Sequence, residues 1–150
     1  MDKTKFLQYR TMIIEEFINI ETIINLCISY KFFNKYDRAF VFLVLHSPYF
    51  SFALRIDILS KITKDFKENI RSKILQMNNI RNIFVHISPN YFDNKKEGEK
   101  ITFDEIGWFP NPKKLSEKLN FEKEFKKFYK LRDEILPYLN DKSKEVGVPF

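Results

Sequence analysis

The spacing of apolar residues predicts helices along most of the chain. Over residues 4–30, apolar side chains recur at steps of three and four, at Phe6, Tyr9, Ile13, Phe17, Ile20, Ile24 and Cys27. Such steps place them on one face of a helix. A second helix is predicted from Asp37, which can cap it, to about His46. Pro48 then interrupts the pattern because proline has no amide hydrogen. The pattern resumes at Phe52, Leu54, Ile56, Leu59 and Ile62.

The same periodicity predicts two further helices, over residues 65–87 and 113–139. The first carries a packing seam in which steps of four and three alternate, apart from Lys73, at Phe66, Ile70, Met77, Ile80, Phe84 and Ile87. Residues 88–112 between the two helices form a long connection, because glycine and proline disfavour helix there. Within it, residues 100–109 are compatible with a short hairpin.

These segments together predict an all-α fold, an antiparallel four-to-five-helix bundle with a long loop before the last helix. Residues 1–140 form one domain, and residues 141–150 are predicted to be a flexible C-terminal tail. The chain has 150 residues, 17 Phe and 7 Tyr, which is enough for a sizeable core. No apolar run approaches the roughly 20 residues of a membrane span, and no signal peptide is recognisable. We therefore expect a cytoplasmic protein with no membrane partner.

Composition narrows the possible functions. The three glycines and the absence of phosphate-loop or hydrolase-elbow motifs disfavour nucleotide-binding and α/β-hydrolase folds. Cys27 is the sole cysteine, so an internal disulfide and a cysteine zinc site are excluded. The two histidines have no metal-ligand spacing, and we expect neither a metal nor a cofactor. The formal net charge of +6 favours an anionic partner.

Polar groups interrupt the apolar pattern at the end of the 65–87 helix. Arg81, Asn82 and His86 lie among apolar neighbours, with Asn78, Asn82 and His86 one turn apart. Arginine can clamp a phosphate, and histidine transfers protons near neutral pH. The pattern predicts phosphodiester cleavage, with Arg81 binding phosphate, His86 moving protons and Asn82 positioning them. The alternative is structural, with Arg81 favoured near a helix C-terminus and His86 a helix-end residue.

Further side chains are candidates for contact with RNA. Residues 61–86 hold six Lys or Arg and two acids, and a phosphate backbone can follow such a surface. Within that helix, Asn78, Lys73 and Arg71 are the predicted RNA-binding residues. The other imidazole, His46, is interpreted mainly as a helix-end core residue. Trp108 and Tyr91 in the long loop either stack on bases or anchor the loop on the bundle.

A four-helix chain with Arg81-Asn82-x-x-x-His86 closing its third helix resembles the HEPN superfamily, all-α domains of toxin–antitoxin, abortive-infection and other defence systems. Residues 52–59 also look like that family's second helix, and the resemblance covers about residues 4–139. It implies a homodimer in which two motifs face one cleft. It also implies metal-independent RNA cleavage, in which the 2′-hydroxyl attacks its own phosphate and leaves a cyclic phosphate.

The resemblance also bears on partners. A cognate antitoxin or other regulatory protein is a further expected partner. In one subgroup the histidine precedes x-Tyr, and a partner nucleotidyltransferase modifies that tyrosine. Here Ile87-Ser88 follows His86, and the nearest tyrosine is Tyr91, so this silencing is not expected. Because the family has inactive members, the alternative function is a non-catalytic regulatory or interaction module that binds nucleic acid or a partner protein.

Overall fold

A computed structural model describes residues 2–89, 92 and 119–149. Its described part is helical and contains no strand: α1 (Lys3–Phe33), α2 (Arg38–Phe40), a π-helix (Val41–Leu45), α3 (Phe52–Ile62), α4 (Glu68–His86) and α5 (Phe121–Glu145). The predicted all-α class is confirmed. None of the described helices has a stretch long and apolar enough to cross a membrane.

Three long helices pack side by side, and their contacts fix their directions. Phe6 near the start of α1 packs against Phe121 at the start of α5, with ring centres 5.2 Å apart. Further along both helices, Arg132 donates to Glu16 at 2.9 Å, so α1 and α5 run the same way. Phe84 near the end of α4 also packs on Phe6, at 5.6 Å. Helix α4 therefore runs antiparallel to α1 and α5.

The segment between α1 and α3 is a short return pass. The Asp37 carboxylate caps α2 by accepting a hydrogen bond from the Phe40 amide at 2.8 Å. Phe40 packs on Phe33 at the end of α1, whereas His46, after the π-helix, contacts Asn25 two turns earlier in α1. The pass thus runs antiparallel to α1. The chain turns again before α3, which gives the alternating directions that the predicted antiparallel bundle requires.

The core lies where the apolar faces of the helices meet. The predicted face of α1 is buried except at Tyr9, which is half-buried. The buried residues are at most 2 % exposed: Phe6, Ile13, Phe17, Ile20, Ile24 and Cys27. The predicted seam of the 65–87 helix is buried at Ile70, Met77, Ile80, Phe84 and Ile87, whereas Phe66 lies before α4 and is half-buried. Burial of this apolar surface is the main force that holds the bundle together. Both faces follow from the helical period alone.

The C-terminus differs from its prediction. Residues 141–150 were expected to form a flexible tail, but α5 continues to Glu145. Ser143 is fully buried and Val148 is 7 % exposed. The Glu145 carboxylate accepts a hydrogen bond from the Lys64 amide at 2.6 Å, which ties this end of α5 to the connection between α3 and α4. The bundle therefore includes residues beyond 140.

Several boundaries of the predicted helices also move. Helix α4 begins at Glu68 rather than residue 65, and α5 begins at Phe121, with Asn120 as its cap. The hairpin predicted at 100–109, and the loop residues Trp108 and Tyr91, lie outside the described residues. The stretch before His46 is a π-helix over five residues rather than the regular helix that the pattern predicted.

Candidate functional site

Arg81 lies on α4, five residues before the helix ends at His86. Its side chain is half-buried, with the guanidinium carbon 5.5 Å from the centre of the Phe17 ring on α1. Its Nη1 donates a hydrogen bond of 2.7 Å to Asn82 Oδ1. A cation over an aromatic face is attracted by the ring, so two contacts orient Arg81. The structure thus brings two of the three predicted catalytic residues together.

His86 is the last residue of α4, and its side chain is exposed. Asn78 and Asn82 precede it at one-turn intervals and are half-buried, so these three side chains form one stripe. Arg81 and His86 are five residues apart, which is about 140° around an ideal helix. The stripe therefore presents His86 and Asn82 to one side of α4, whereas Arg81 reaches toward α1.

The two cations predicted to bind RNA lie in ion pairs between helices. Arg71 pairs with Asp57 of α3, with Nη2 and Oδ1 2.7 Å apart. The hydrogen bond that Arg71 donates to this carboxylate raises the pKa of Arg71. Lys73 pairs with Glu134 of α5 at 2.5 Å and lowers the pKa of that carboxyl. Both cations join α4 to its neighbours. Their contact with RNA stays a prediction, and two of the six cations on which it depended are held in ion pairs.

A second polar cluster lies between α1, α3 and the end of the π-helix. Arg55 of α3 is 6 % exposed, and Asn25 of α1 is 4 % exposed. Arg55 donates to Glu21 Oε1 at 2.5 Å and to Asn25 Oδ1 at 3.1 Å. The Asn25 amide nitrogen lies 3.2 Å from His46 Nε2. The cluster thus connects a buried ion pair to an exposed imidazole.

The chemistry of these groups fixes the direction of each hydrogen bond. Arginine can only donate, so the oxygen of the Asn25 side chain must face Arg55. The Asn25 NH2 group then faces His46 and donates to Nε2. A ring nitrogen that accepts carries no proton, so the His46 proton lies on Nδ1. The cluster thereby selects one tautomer of His46 and leaves its Nδ1–H as a donor.

His46 also belongs to an exposed row of planar groups. The Arg38 guanidinium carbon lies 5.5 Å from the centre of the Phe42 ring. The Phe42 and His46 rings are stacked, with centres 5.8 Å apart and planes at 26°. All three side chains are exposed, and Phe42 is 57 % exposed. We call Arg38, Phe42 and His46 the planar row. The row was missed in the sequence, although its four-residue spacing was a visible signal.

An aromatic pair joins the two polar regions. The Arg81 guanidinium lies over the ring of Phe17 on α1. Phe17 in turn packs on Phe52 of α3, with ring centres 4.9 Å apart. The Arg55 guanidinium in turn lies 5.5 Å from the centre of the Phe52 ring. Two arginines from different helices therefore rest on one aromatic pair. This contact places the α4 motif and the Arg55 cluster on connected parts of the same bundle.

Within the described residues, neither the Cys27 thiol nor an acidic cluster offers a further site. Cys27 is fully buried, and burial raises the pKa of its thiol to about 12, as expected for a core residue. Across residues 2–89, 92 and 119–149, no three His, Cys, Asp or Glu side chains are grouped so as to hold a metal ion. Comparison with protein-family models, curated proteins and solved structures found no match. The resemblance to HEPN domains therefore rests on the α4 motif and the helix order.

Proposed function

We propose that this protein is a metal-independent endoribonuclease that acts as a homodimer, in a toxin–antitoxin or other defence system in the cytoplasm. One observation carries the proposal. The end of α4 combines an oriented arginine, its amide partner and an exposed imidazole, at Arg81, Asn82 and His86. This is the residue set and spacing of HEPN ribonucleases. A cognate antitoxin or regulatory protein is the expected partner besides RNA.

The chemistry suits these three side chains. When the 2′-hydroxyl attacks the adjacent phosphorus, a new P–O bond forms, the bond to the 5′-oxygen breaks, and a 2′,3′-cyclic phosphate remains. A proton must leave the attacking oxygen, and another must reach the leaving oxygen. His86 supplies one of these transfers, and such acid–base help is worth about 10²–10⁴ in rate. Arg81 offsets charge on the phosphoryl oxygens, and Asn82 holds its guanidinium.

A dimer answers a geometric problem of the single chain. Arg81 and His86 point to different sides of α4, about 140° apart. The two side chains of a single copy therefore do not converge on one phosphate. A second copy packed on α4 brings the arginine of one protomer to the histidine of its partner. We expect sedimentation at twice the chain mass of 18.2 kDa. A monomer at micromolar concentration would contradict the shared site.

The test of the proposed chemistry is cleavage of single-stranded RNA in excess EDTA, with analysis of the new ends. We expect cutting to persist in the chelator and to give a 2′,3′-cyclic phosphate and a 5′-hydroxyl. Loss of cutting on chelation would overturn the mechanism. A 3′-hydroxyl with a 5′-phosphate would also overturn it, because those ends form when water attacks the phosphorus and the bond to the 3′-oxygen breaks.

Mixing two inactive variants tests the shared site. Arg81→Ala and His86→Ala dimers are unfolded together, refolded and assayed. In a two-fold dimer, sites built across the interface keep one intact copy in each mixed dimer, so about a quarter of the wild-type activity should return. No recovery is expected if each site takes both residues from a single protomer, and that result would remove the cross-protomer arrangement.

The alternative is a non-catalytic module that binds nucleic acid or a partner protein through the same surface. It is favoured by the contacts of Arg81 with Phe17 and Asn82, since both also serve a purely structural role. The discriminating result is RNA binding without cutting. If wild-type protein binds RNA and never cleaves it, and Arg81→Ala weakens the binding, the module is the better description.

A further inference from the structure

We infer that the planar row of Arg38, Phe42 and His46 binds single-stranded RNA, by stacking of a nucleobase and by contacts to the adjacent phosphate. The inference rests on the proposed function and names where its substrate is held. It assigns RNA recognition to the segment between α1 and α3, away from the α4 cations Arg71 and Lys73. Four observations support it: the exposure of the row, its orientation by buried groups, its local charge and its backbone.

The first observation is exposure. Phe42 is 57 % exposed although the π-helix buries Val41 and Leu45 on its inner side. The Phe42 ring stacks on the His46 ring, and the Arg38 guanidinium lies over the Phe42 ring. Sequence-tolerant binding of single strands uses such stacking surfaces together with cations. A base can extend the stack beyond His46 or replace the guanidinium on Phe42.

The second observation is the buried polar cluster that orients His46. The Arg55–Glu21 pair is largely buried, with side-chain exposures of 8 % and 20 %, and taking such charges out of water is expensive. Arg55 Nε is also buried without a hydrogen-bond partner among the described residues. A histidine that is exposed to solvent does not need a buried ion pair behind it to be stable in that position. The cluster instead holds one ring orientation, with Nδ1–H available to a phosphate or carbonyl oxygen.

The third observation is charge. From residue 22 to residue 54, the only charged side chains are Lys31, Lys35, Asp37 and Arg38. The Asp37 carboxylate caps α2, and no ion pair joins Arg38 to a carboxylate in the part of the chain that the structure describes. Arg38 therefore differs from the ion-paired cations of α4, because it can contact a phosphate without breaking a salt bridge. Positive charge beside stacked rings favours a nucleic acid over an uncharged ligand.

The fourth observation is the backbone. The five residues Val41–Leu45 form a π-helix, which is rare and frequently marks functional sites. Single-stranded rather than double-stranded RNA fits the row, because bases inside a duplex have no free face to stack on a protein ring. A protein partner would use the exposed apolar side chains beside Phe42, such as Leu43, and would have no need for an oriented imidazole. These arguments favour RNA over a second copy of the chain.

Binding to a 2′-O-methyl RNA oligonucleotide, measured by fluorescence anisotropy, tests the inference. This RNA has no attacking hydroxyl, so binding is measured separately from cleavage. We expect Phe42→Ala to weaken binding about tenfold, since it removes the ring on which a base stacks. Leu43→Ala is the matched control, because Leu43 is 76 % exposed on the same π-helix but lies outside the row. It should bind within about twofold of wild type.

The salt dependence separates the role of the cation. Arg38→Ala should reduce the slope of log Kd against log salt by about one. Lys127→Ala removes the same charge from an exposed position on α5 and should leave the slope unchanged. Equal slopes for wild type and Arg38→Ala would remove Arg38 from the site.

The orienting role of Asn25 has its own readout. In Asn25→Asp the carboxylate still accepts from Arg55 but accepts from His46 as well, so the imidazole proton is drawn to Nε2. Nitrogen-15 chemical shifts of the ring report this tautomer change directly. We expect the change together with weaker RNA binding. A changed tautomer with wild-type affinity would show that the orientation of His46 does not matter for RNA.

The outcomes distinguish this inference from the proposed function. If wild-type protein cuts RNA but Phe42→Ala binds RNA as tightly as wild type, the inference is wrong and the nuclease stands. If Phe42→Ala weakens binding but no RNA is ever cut, the site stands and the nuclease fails. If Phe42→Ala converts a dimer into a monomer with unchanged RNA affinity, the row is a protein interface, and the inference is overturned.

Discussion

Two arginines in this bundle rest on the same aromatic pair but are held in opposite ways. Arg81 is half-buried, and its hydrogen-bond partner is the next residue, Asn82. Arg55 is 6 % exposed, and its partners Asn25 and Glu21 are 30 and 34 residues away in sequence. A site built by one helix is visible in the sequence, whereas a cluster assembled from several elements becomes visible only in the fold.

The difference between Arg81 and Arg55 also indicates which of them can contact a substrate and which holds other residues in place. A half-buried guanidinium with one local bond can turn toward a ligand at small cost. A buried guanidinium bonded to two other segments cannot move without leaving polar groups unpaired. Arg81 is therefore suited to touch a substrate, and Arg55 is suited to fix other residues, His46 among them.

The largest expected difference in stability lies between Arg55→Ala and Arg81→Ala. Arg55→Ala leaves the Glu21 carboxylate and the Asn25 oxygen without their partner, and breaking such a pair costs about 3–5 kcal/mol. Arg81→Ala removes one neutral-acceptor bond and a ring contact, worth about 1–2 kcal/mol in total. Urea denaturation of both variants measures the difference. Equal losses would show that the two arginines are not held differently.

Asn25→Leu breaks the middle of the cluster. The variant removes the acceptor of Arg55 and the donor to His46, and unpaired buried groups cost about 1–3 kcal/mol. Asn19→Leu, on an exposed position of the same helix, is the control and should stay within about 0.5 kcal/mol of wild type. Similar melting of the two variants would mean that the cluster contributes little to stability.

Lys73→Ala tests whether RNA follows α4. Its ion pair with Glu134 is partly exposed, so its loss should cost at most about 1 kcal/mol. Because Lys73 is already paired, RNA affinity should fall less than in Arg38→Ala. Glu134→Gln frees the lysine and should strengthen RNA binding slightly if RNA passes there. A larger loss of affinity in Lys73→Ala than in Arg38→Ala would restore α4 as the main RNA-binding surface.

The smallest expected effect is a pH dependence at the end of α5. A hydrogen bond from Lys142, followed by one from the Lys64 amide, lowers the pKa of Glu145 below its ordinary value of 4.5. A lowered folded-state pKa contributes stability above pH 4.5 that is lost as the pH falls through the folded value. Glu145→Gln should therefore melt slightly below wild type at pH 7 and match it at pH 2–3. A constant difference at both pH values would contradict this linkage.

Much of the bundle could be predicted because a helix face depends only on local spacing. Ile13, Phe17, Ile20 and Ile24 are buried as their period required. The extension of α5 to Glu145 could not be predicted in this way, since residues 141–145 carry no large apolar side chain. The stabilising contact there comes from the Lys64 amide, 81 residues away in the chain.

The candidate sites show the same limit. Arg81, Asn82 and His86 share one helix end, so their spacing alone brought them together as a hypothesis. Arg71 and Lys73 looked like free cations because their partners, Asp57 and Glu134, lie on other helices. His46 ends the π-helix as predicted, but it is exposed rather than in the core. Its neighbour Asn25 is 21 positions away in the sequence. Charge counts along a sequence cannot show which cations the fold has already paired.

The most direct test of the account compares RNA cleavage by wild type, Arg81→Ala and His86→Ala in excess EDTA, beside the thermal melting of each protein. The account predicts that wild type cuts, that each variant cuts at least about 100-fold more slowly, and that all three melt within a few degrees of one another. Asn79→Ala, an exposed position on α4, should cut like wild type. Folded Arg81→Ala and His86→Ala proteins that cut RNA at the wild-type rate would contradict the account.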